Sequence, residues 1–242
     1  PGYKADLAVF DDLRTLNVKQ VYKGGKLVAE NGKMLHQKEK NTDWSTEIKE
    51  RVFHSFHRVP ITVEELQLKE TTGTHQRVID MVAHELITKE RIEEWKELPG
   101  VAPGVDISRD IVKLAAIERH KNTGHVGLGF LGKYGLKKGA VATSIGHDSH
   151  NLVIAGVTDE DMVLAGNRVI ENGGGLAIAL EGKVLADLPL PIGGLMADEP
   201  VEVVDEKLEH MKKLSVELGI SEDIDAFMTL AFISLPVIPK LR

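Results

Sequence analysis

The chain has 242 residues, of which 42% are apolar and 28% are charged, so it can form one large domain or two smaller ones with cores of their own. It contains no cysteine, which excludes a disulfide framework, a zinc site built on thiolates and a cysteine nucleophile. No apolar run is long enough to cross a bilayer, and no basic segment precedes an apolar one as in a signal peptide. We therefore expect a cytoplasmic protein.

The formal net charge of −7 is unevenly distributed along the chain. Residues 1–60 have a net charge of +3, and the remainder has a net charge of −10, with most of the acidic excess in 198–225. Aromatic residues make up only 5%, and no basic cluster is interleaved with them. Because a protein that neutralises phosphates needs a basic face, we expect neither a nucleic acid nor a membrane as a partner.

The first part of the chain has the pattern of a small β-meander. Strands are predicted at 5–10, 18–22 and 26–29, with turns at Asp11-Asp12 and Gly24-Gly25. Three short strands cannot bury a core of their own, so this unit, predicted over 1–35, must pack on something else. The chain begins at Pro1 without an initiator methionine, so we expect the start of this domain to be missing.

A polar and charged stretch follows, and we predict a linker over 36–59 with a short helix after Ser45. From Val52 to Val59 the pattern is strand-like, although Ile48, Val52 and Phe56 also have the spacing of one helix face. His54 and His57 could offer two metal ligands on a helix, but a pair at the surface is the expected interpretation.

The second unit is predicted over 60–242 as an α+β domain. Buried strands are predicted at 77–82, 111–117, 140–145 and 151–157, a hairpin at 176–180 and 183–188, helices at 158–172 and 200–218, and a buried segment that is apolar on all sides at 227–238. Thr158 or Asp159 caps the first helix, and Gly173 ends it. Strands mixed with hairpins and followed by helices indicate a mostly antiparallel sheet packed with helices.

The densest polar cluster lies between two predicted strands and consists of His147, Asp148, Ser149, His150 and Asn151. Two imidazoles and a carboxylate at this spacing could bind a metal, transfer protons or hold a polar heterocycle. The alternative is a capped turn, in which Asp148, Ser149 and Asn151 bond to backbone groups. The pattern alone leaves both open.

A second polar cluster, Glu118–His125, follows the strand predicted at 111–117 and leads into a glycine-rich run. A flexible flap and a plain turn are both compatible with this composition. Gly127-x-Gly129-x-x-Gly132 has the spacing of a dinucleotide fingerprint, but no clear strand precedes it and no βαβ unit surrounds it. A dinucleotide site is therefore not predicted.

These runs are similar to one known family. Pro1–Val9 resembles the strand with which amidohydrolases re-enter their small β-domain after the catalytic barrel, so the meander resembles a remnant of that domain. The rest of the chain resembles the C-terminal domain of bacterial adenine deaminase. The runs that carry this resemblance are Glu118-Arg119-His120 with Thr123-Gly124, Gly139–Ser144, His147–Asn151, Gly173-Gly174-Gly175, Leu188–Met196 and Phe227–Leu230. Gly146 departs from it, since alanine is expected there in many relatives.

The resemblance implies a hydrolase of the amidohydrolase superfamily, which cleaves a cyclic amidine C–N bond and converts adenine to hypoxanthine and ammonia. It also implies two divalent metal ions, manganese or iron, in a (β/α)8 barrel whose ligands are absent from this sequence. The chain is then expected to be a fragment with no metal site and no activity of its own, with adenine and the barrel as partners in a homo-oligomer.

Within such a fragment, a set of polar residues is expected to contact the substrate or to close the mouth of the active site. These residues are His147, Asp148, Ser149, His150, Asn151 and His120. The alternative is a purely structural or oligomerising domain, in which the same loop only holds two strands together.

Overall fold

The computed structural model describes residues 2–35, 44–68, 73–82 and 84–235. The chain divides into two compact units, Pro1–Ser45 and Thr46–Arg242. The division falls inside the predicted linker 36–59, of which 36–43 lies outside the described residues. The domain boundaries at residues 35 and 59 stay predictions.

The first unit is a four-stranded antiparallel sheet in the order β1-β2-β3-β4. Its strands are β1 (Leu7–Phe10), β2 (Val18–Lys23), β3 (Lys26–Glu30) and β4 (Lys33–Met34). The first three were predicted, and β4 adds a short fourth strand. None of the described residues of this unit is buried, which agrees with the expectation that the meander has no core of its own.

The second unit contains an eight-stranded sheet. Its strands are β5 (His75–Met81), β6 (Thr88–Glu94), β7 (Ile111–Ile117), β8 (Val126–Gly132), β9 (Ala140–Thr143), β10 (Leu152–Gly156), β11 (Gly175–Leu180) and β12 (Lys183–Pro189). Their order is β12-β11-β9-β10-β7-β8-β5-β6, and every neighbouring pair is antiparallel except β5 with β8. The predicted mostly antiparallel sheet is confirmed.

The described residues include four α-helices: α1 (Thr46–Phe53), α2 (Asp159–Glu171), α3 (Val201–Glu217) and α4 (Ala226–Ile233). Thr158 Oγ1 accepts a hydrogen bond from the Asp161 amide and caps α2, as predicted, and the Asp225 carboxylate caps α4. No helix in the described ranges combines the length and apolar character that a membrane span requires.

The sheet of the second unit lies between two helical layers. One face packs on α2, and its buried core includes Ala115, Ile117, Ala142, Ile154, Met162, Ala165 and Val169. The other face packs on α3 and α4, and its core includes Leu114, Val141, Val153, Met211, Leu218, Phe227 and Leu230. Because successive strand residues point to opposite faces and both faces are covered, the central strands β7, β9 and β10 are apolar except for Lys113 and Thr143, which agrees with an α+β fold.

Three expectations from the sequence differ from the structure. The strand-like reading of 52–59 is wrong, because α1 continues to Phe53 and residues 55–62 form neither helix nor strand. No strand was predicted in the glycine-rich run that follows Glu118–His125, but Val126–Gly132 is strand β8, paired with β7 and β5. Strand β6 was not predicted, because its sequence TKERIEE is dominated by charge.

Candidate functional site

The two predicted polar clusters leave the sheet at the same edge. Ile117, the last residue of β7, pairs with Leu152, the first residue of β10. The segment after β7 and the segment before β10 are therefore neighbours. We call residues 144–151, which join β9 to β10, the β9–β10 loop.

The backbone of the β9–β10 loop is held at three points. The His147 amide donates to the Ala231 carbonyl of α4 at 2.7 Å. His120 Nε2 lies 2.7 Å from the Ser149 carbonyl oxygen, and Arg119 Nε donates to the His150 carbonyl at 2.6 Å. The loop is thus attached both to a helix and to the segment after β7.

His147 and Asp148 form an exposed pair at the tip of this loop. His147 Nδ1 and Asp148 Oδ1 are 2.5 Å apart, and their side chains are 53% and 70% exposed. The His147 ring stacks on Phe232, with the ring centroids 5.5 Å apart and the planes at 18°. Since Asp148 occupies Nδ1, the Nε2 atom of His147 is the one available to a ligand.

His150 is half-buried behind this pair, with its ring centroid 6.3 Å from that of His147. Its Nδ1 atom is buried and has no hydrogen-bond partner within the described residues. Burial lowers the pKa of His150 from its ordinary value, and the charges of Arg119, His147 and His120 lower it further. The protein environment therefore favours the neutral imidazole of His150 over its charged form.

The remaining predicted residues lie on the same loop or next to it. His120 and Ser149 are exposed and meet through the Ser149 carbonyl, whereas Asn151 is half-buried directly before β10. The structure thus brings His120 together with His147, Asp148, Ser149 and His150. His54 and His57 are both exposed, as expected for a surface pair.

The segment after β7 is a turn closed by Glu118. The Glu118 carboxylate accepts hydrogen bonds from the amides of His120, Lys121 and Thr123 and from the Thr123 hydroxyl, at 2.5 to 2.9 Å. These bonds, the one from the Thr123 amide foremost, lower the pKa of Glu118 to about 2. The carboxylate thus fixes the turn that carries Arg119 and His120.

Arg119 is the residue that sequence reasoning missed at this site. It is 1% exposed, and its guanidinium carbon lies 4.9 Å from the centroid of the Phe56 ring. The available signal was the period of two in β7: Ala115 and Ile117 point to one face, and Arg119 continues the same row. An arginine that continues the buried row of side chains directly after a strand is predicted to have its charge buried.

Ser144 and three glycines form the base of the β9–β10 loop. Ser144 Oγ donates to the Gly194 carbonyl at 2.6 Å and accepts from the Gly175 amide at 2.7 Å. A Cβ on Gly174 would overlap Gly194 Cα, so the two backbones approach closely. The base of the loop is therefore rigid.

Within the described part of the chain, no group of three or more His, Cys, Asp or Glu side chains comes together in a way that could hold a metal ion. The described residues therefore do not fit the divalent metal that the resemblance implies.

Comparison with known proteins agrees with the resemblance noted in the sequence. Residues 85–242 match the family model described as the adenine deaminase C-terminal domain. The chain is 44% identical to adenine deaminase 2 of Carboxydothermus hydrogenoformans, 42% identical to adenine deaminase of Petrotoga mobilis and 40% identical to adenine deaminase of Lysinibacillus sphaericus. Each match covers 100% of this chain but 41% of the relative. The chain therefore belongs to the adenine deaminase C-terminal domain family.

Proposed function

We propose that this chain is the part of an adenine deaminase that covers the mouth of the active site, and that the complete enzyme hydrolyses adenine to hypoxanthine and ammonia. Membership of the adenine deaminase C-terminal domain family supports the proposal, as do the names of the relatives that match the whole chain. The chain spans 41% of the length of those relatives, so the rest of the enzyme contributes the remaining groups.

One observation supports the role of the β9–β10 loop in particular. Its backbone is tied to Ala231, Arg119 and His120, whereas the side chains of His147 and Asp148 extend into solvent. A loop that only joined two strands would use its polar side chains to satisfy its own backbone. Here other segments provide most of those bonds, so the tip is free to contact a ligand.

The chemistry of the tip matches adenine. The exocyclic amine of the purine donates hydrogen bonds, and both the carboxylate of Asp148 and the Nε2 atom of His147, whose Nδ1–H faces Asp148, can accept them. The departing ammonia also requires a proton, which an imidazole can relay. We assign the loop to substrate contact or closure ahead of acid catalysis.

We assign the divalent metal ions, manganese or iron, to the part of the complete enzyme outside this chain. Held by groups outside this chain, a metal of this kind would lower the pKa of water. This chain contributes the polar groups of the β9–β10 loop and the contacts that hold them.

The test uses the complete enzyme with His147→Ala and His150→Ala, and with His210→Ala as a matched control. His210 is an exposed histidine on α3, so its removal reports the general effect of losing a surface imidazole. We expect kcat/KM for adenine to fall by about 10²–10⁴ in a variant that loses proton transfer, with Tm unchanged. The control is expected to retain the kinetics of the parent enzyme.

Two results would contradict the proposed role. If both loop variants keep normal kinetics, or if activity falls only in step with Tm, then the loop is structural. A lower oligomeric state of the same variants, measured by light scattering, would instead support the alternative of an oligomerising domain.

A further inference from the structure

We infer that Arg119 is a positioning residue. Its guanidinium fixes the position of the β9–β10 loop by donating a hydrogen bond to the carbonyl oxygen of His150. The inference rests on the function proposed above, because the position of the loop matters only if the loop acts on the substrate. Arg119 itself is buried and lies behind the loop, so it acts through His150.

The guanidinium joins three segments that are far apart in the sequence. Its Nε donates to the His150 carbonyl at 2.6 Å, and its Nη2 donates to the Gly193 carbonyl at 3.2 Å. Its flat face lies over the ring of Phe56, which follows α1. A planar fork can make these contacts together, whereas a lysine ammonium could hold only one carbonyl in the same way.

The burial of this charge has no explanation in packing alone. Within the described residues no carboxylate forms an ion pair with Arg119, and its buried Nη1 has no hydrogen-bond partner. An unpaired buried cation is costly, and an apolar side chain of similar length would fill the same space at lower cost. The guanidinium therefore contributes through the geometry of what it binds.

Two neighbouring glycines provide a matched pair for testing this geometry. Gly193 and Gly194 have φ angles of +68° and +72°, so replacement by alanine strains both to a similar degree. A Cβ on Gly193 would meet no atom within 4 Å, whereas a Cβ on Gly194 would come within 2.7 Å of Arg119 Nη1. Gly194→Ala thus displaces the guanidinium by a direct clash, whereas Gly193→Ala introduces comparable backbone strain without a clash, at a residue whose carbonyl accepts from Arg119 Nη2.

The charge of Arg119 supplies a second readout. The pKa of His150 is lowered by burial first and then by Arg119, His147 and His120, while Asp148 raises it. Removal of the guanidinium therefore raises the pKa of His150. As the pH falls, the imidazole of the variant then becomes protonated at a higher pH than that of the parent enzyme. An arginine whose charge does not act on a reacting His150 would change stability and leave the pH dependence of the reaction in place.

The experiment compares Gly194→Ala with Gly193→Ala in the complete enzyme, by Tm and by kcat/KM for adenine. We expect similar Tm values and a kcat/KM that is about 10–100-fold lower for Gly194→Ala, as for a misplaced active-site group. Arg119→Met is expected to move the acid limb of the kcat/KM profile to higher pH, and Arg119→Lys to restore the limb because it keeps the charge.

The inference is overturned if Gly194→Ala and Gly193→Ala have the same kcat/KM and the acid limb of Arg119→Met stays in place. If Arg119→Met does not fold, then the two glycine variants decide. The failure of the proposed function has a different signature, since His147→Ala and His150→Ala would then keep normal kinetics. If His147→Ala and His150→Ala lose activity while Gly194→Ala and Gly193→Ala have the same kcat/KM, then the proposed function holds and only the positioning role of Arg119 is contradicted.

Discussion

Glu118 illustrates how one carboxylate shapes a loop at the scale of single residues. It closes the turn after β7 with four hydrogen bonds, and its pKa of about 2 lies below the ordinary value of 4.5. A depressed carboxyl pKa stabilises the fold fully above the unfolded value, and the stabilisation is lost as the pH falls from about 4.5 to about 2. Acid therefore loosens the turn that carries Arg119.

We predict that Glu118→Gln lowers Tm at neutral pH, because an amide has one acceptor oxygen where the carboxylate uses two. The difference in Tm between parent and variant should shrink as the pH falls from about 4.5 to about 2, since the stabilisation by the ionised Glu118 carboxylate is lost over that range. Thermal unfolding across this range is the measurement, with Glu222→Gln at an exposed position as the control. A difference in Tm that does not vary with pH would contradict the role of the charge.

At this scale the sequence located the loop but did not reveal what holds it. The run of His147, Asp148, Ser149, His150 and Asn151 was recognisable because five polar residues follow an apolar strand. Its anchors were not, because Arg119 and Ala231 come from distant parts of the chain. Which side chains reach solvent depends on those contacts, and local patterns carry no information about them.

At the scale of elements, a buried ion pair joins the sheet to α2. Lys113 of β7 and Asp159 in the first turn of α2 are 1% and 9% exposed, and Lys113 Nζ lies 2.6 Å from Asp159 Oδ1. Lys113→Met is expected to lower the free energy of unfolding by about 3–5 kcal/mol, because it leaves a buried carboxylate unpaired.

Adding Asp159→Asn to Lys113→Met should recover part of that loss, because the second change removes the unpaired charge. Denaturant unfolding of both variants measures the free energies. Equal stability of the single and double variants would show that the charge of Asp159 is not what makes the single change costly.

The contact between β10 and α2 depends on a glycine. A Cβ on Gly156 would overlap Met162 Cγ, so Gly156→Ala is expected to cost about 1–3 kcal/mol through overpacking. Gly129 in β8 offers the matched control, because a Cβ there would meet no atom within 4 Å. Gly129→Ala should be neutral or stabilise by up to about 1 kcal/mol, since glycine is unfavourable inside a strand. Similar losses in both variants would contradict the packing argument.

Elements with ordinary signals were predictable, and two strands of the eight-stranded sheet were not. Thr158 and Gly173 marked the ends of α2, and the apolar run of β7 was predicted with its observed bounds. Strand β8 was missed because glycines occupy alternate positions between Val126, Leu128 and Phe130, and glycine usually signals a loop. Strand β6 was missed because charged residues occupy most of the positions at which a strand usually alternates apolar with polar residues.

At the scale of the whole molecule, the order of the strands could not be predicted. Strand β8 pairs with β7 on one side and with β5, in parallel, on the other. The parallel pair joins segments separated by two other strands, and no local signal specifies which distant strands will meet. The fold class was predictable because it depends only on the kinds of elements present.

The isolated chain is predicted to release no ammonia from adenine. Its described residues provide no cluster of metal ligands. The relatives that are named adenine deaminase are also longer than this chain. An ammonia assay of the purified 242-residue protein, with the complete enzyme as the positive control, is the measurement. Release above background by the shorter chain would overturn the assignment of the metal to the remainder of the enzyme.

Strand β6 forms one end of the eight-stranded sheet, and its charged sequence has a consequence for how the protein behaves in concentrated solution. A terminal strand presents unpaired backbone groups on which a second molecule could build. Lys89, Glu90, Glu93 and Glu94 place charges of both signs along this strand, so a copy approaching it would have to desolvate them. The charged residues because of which β6 was not predicted therefore also oppose the growth of fibrils from this end of the sheet.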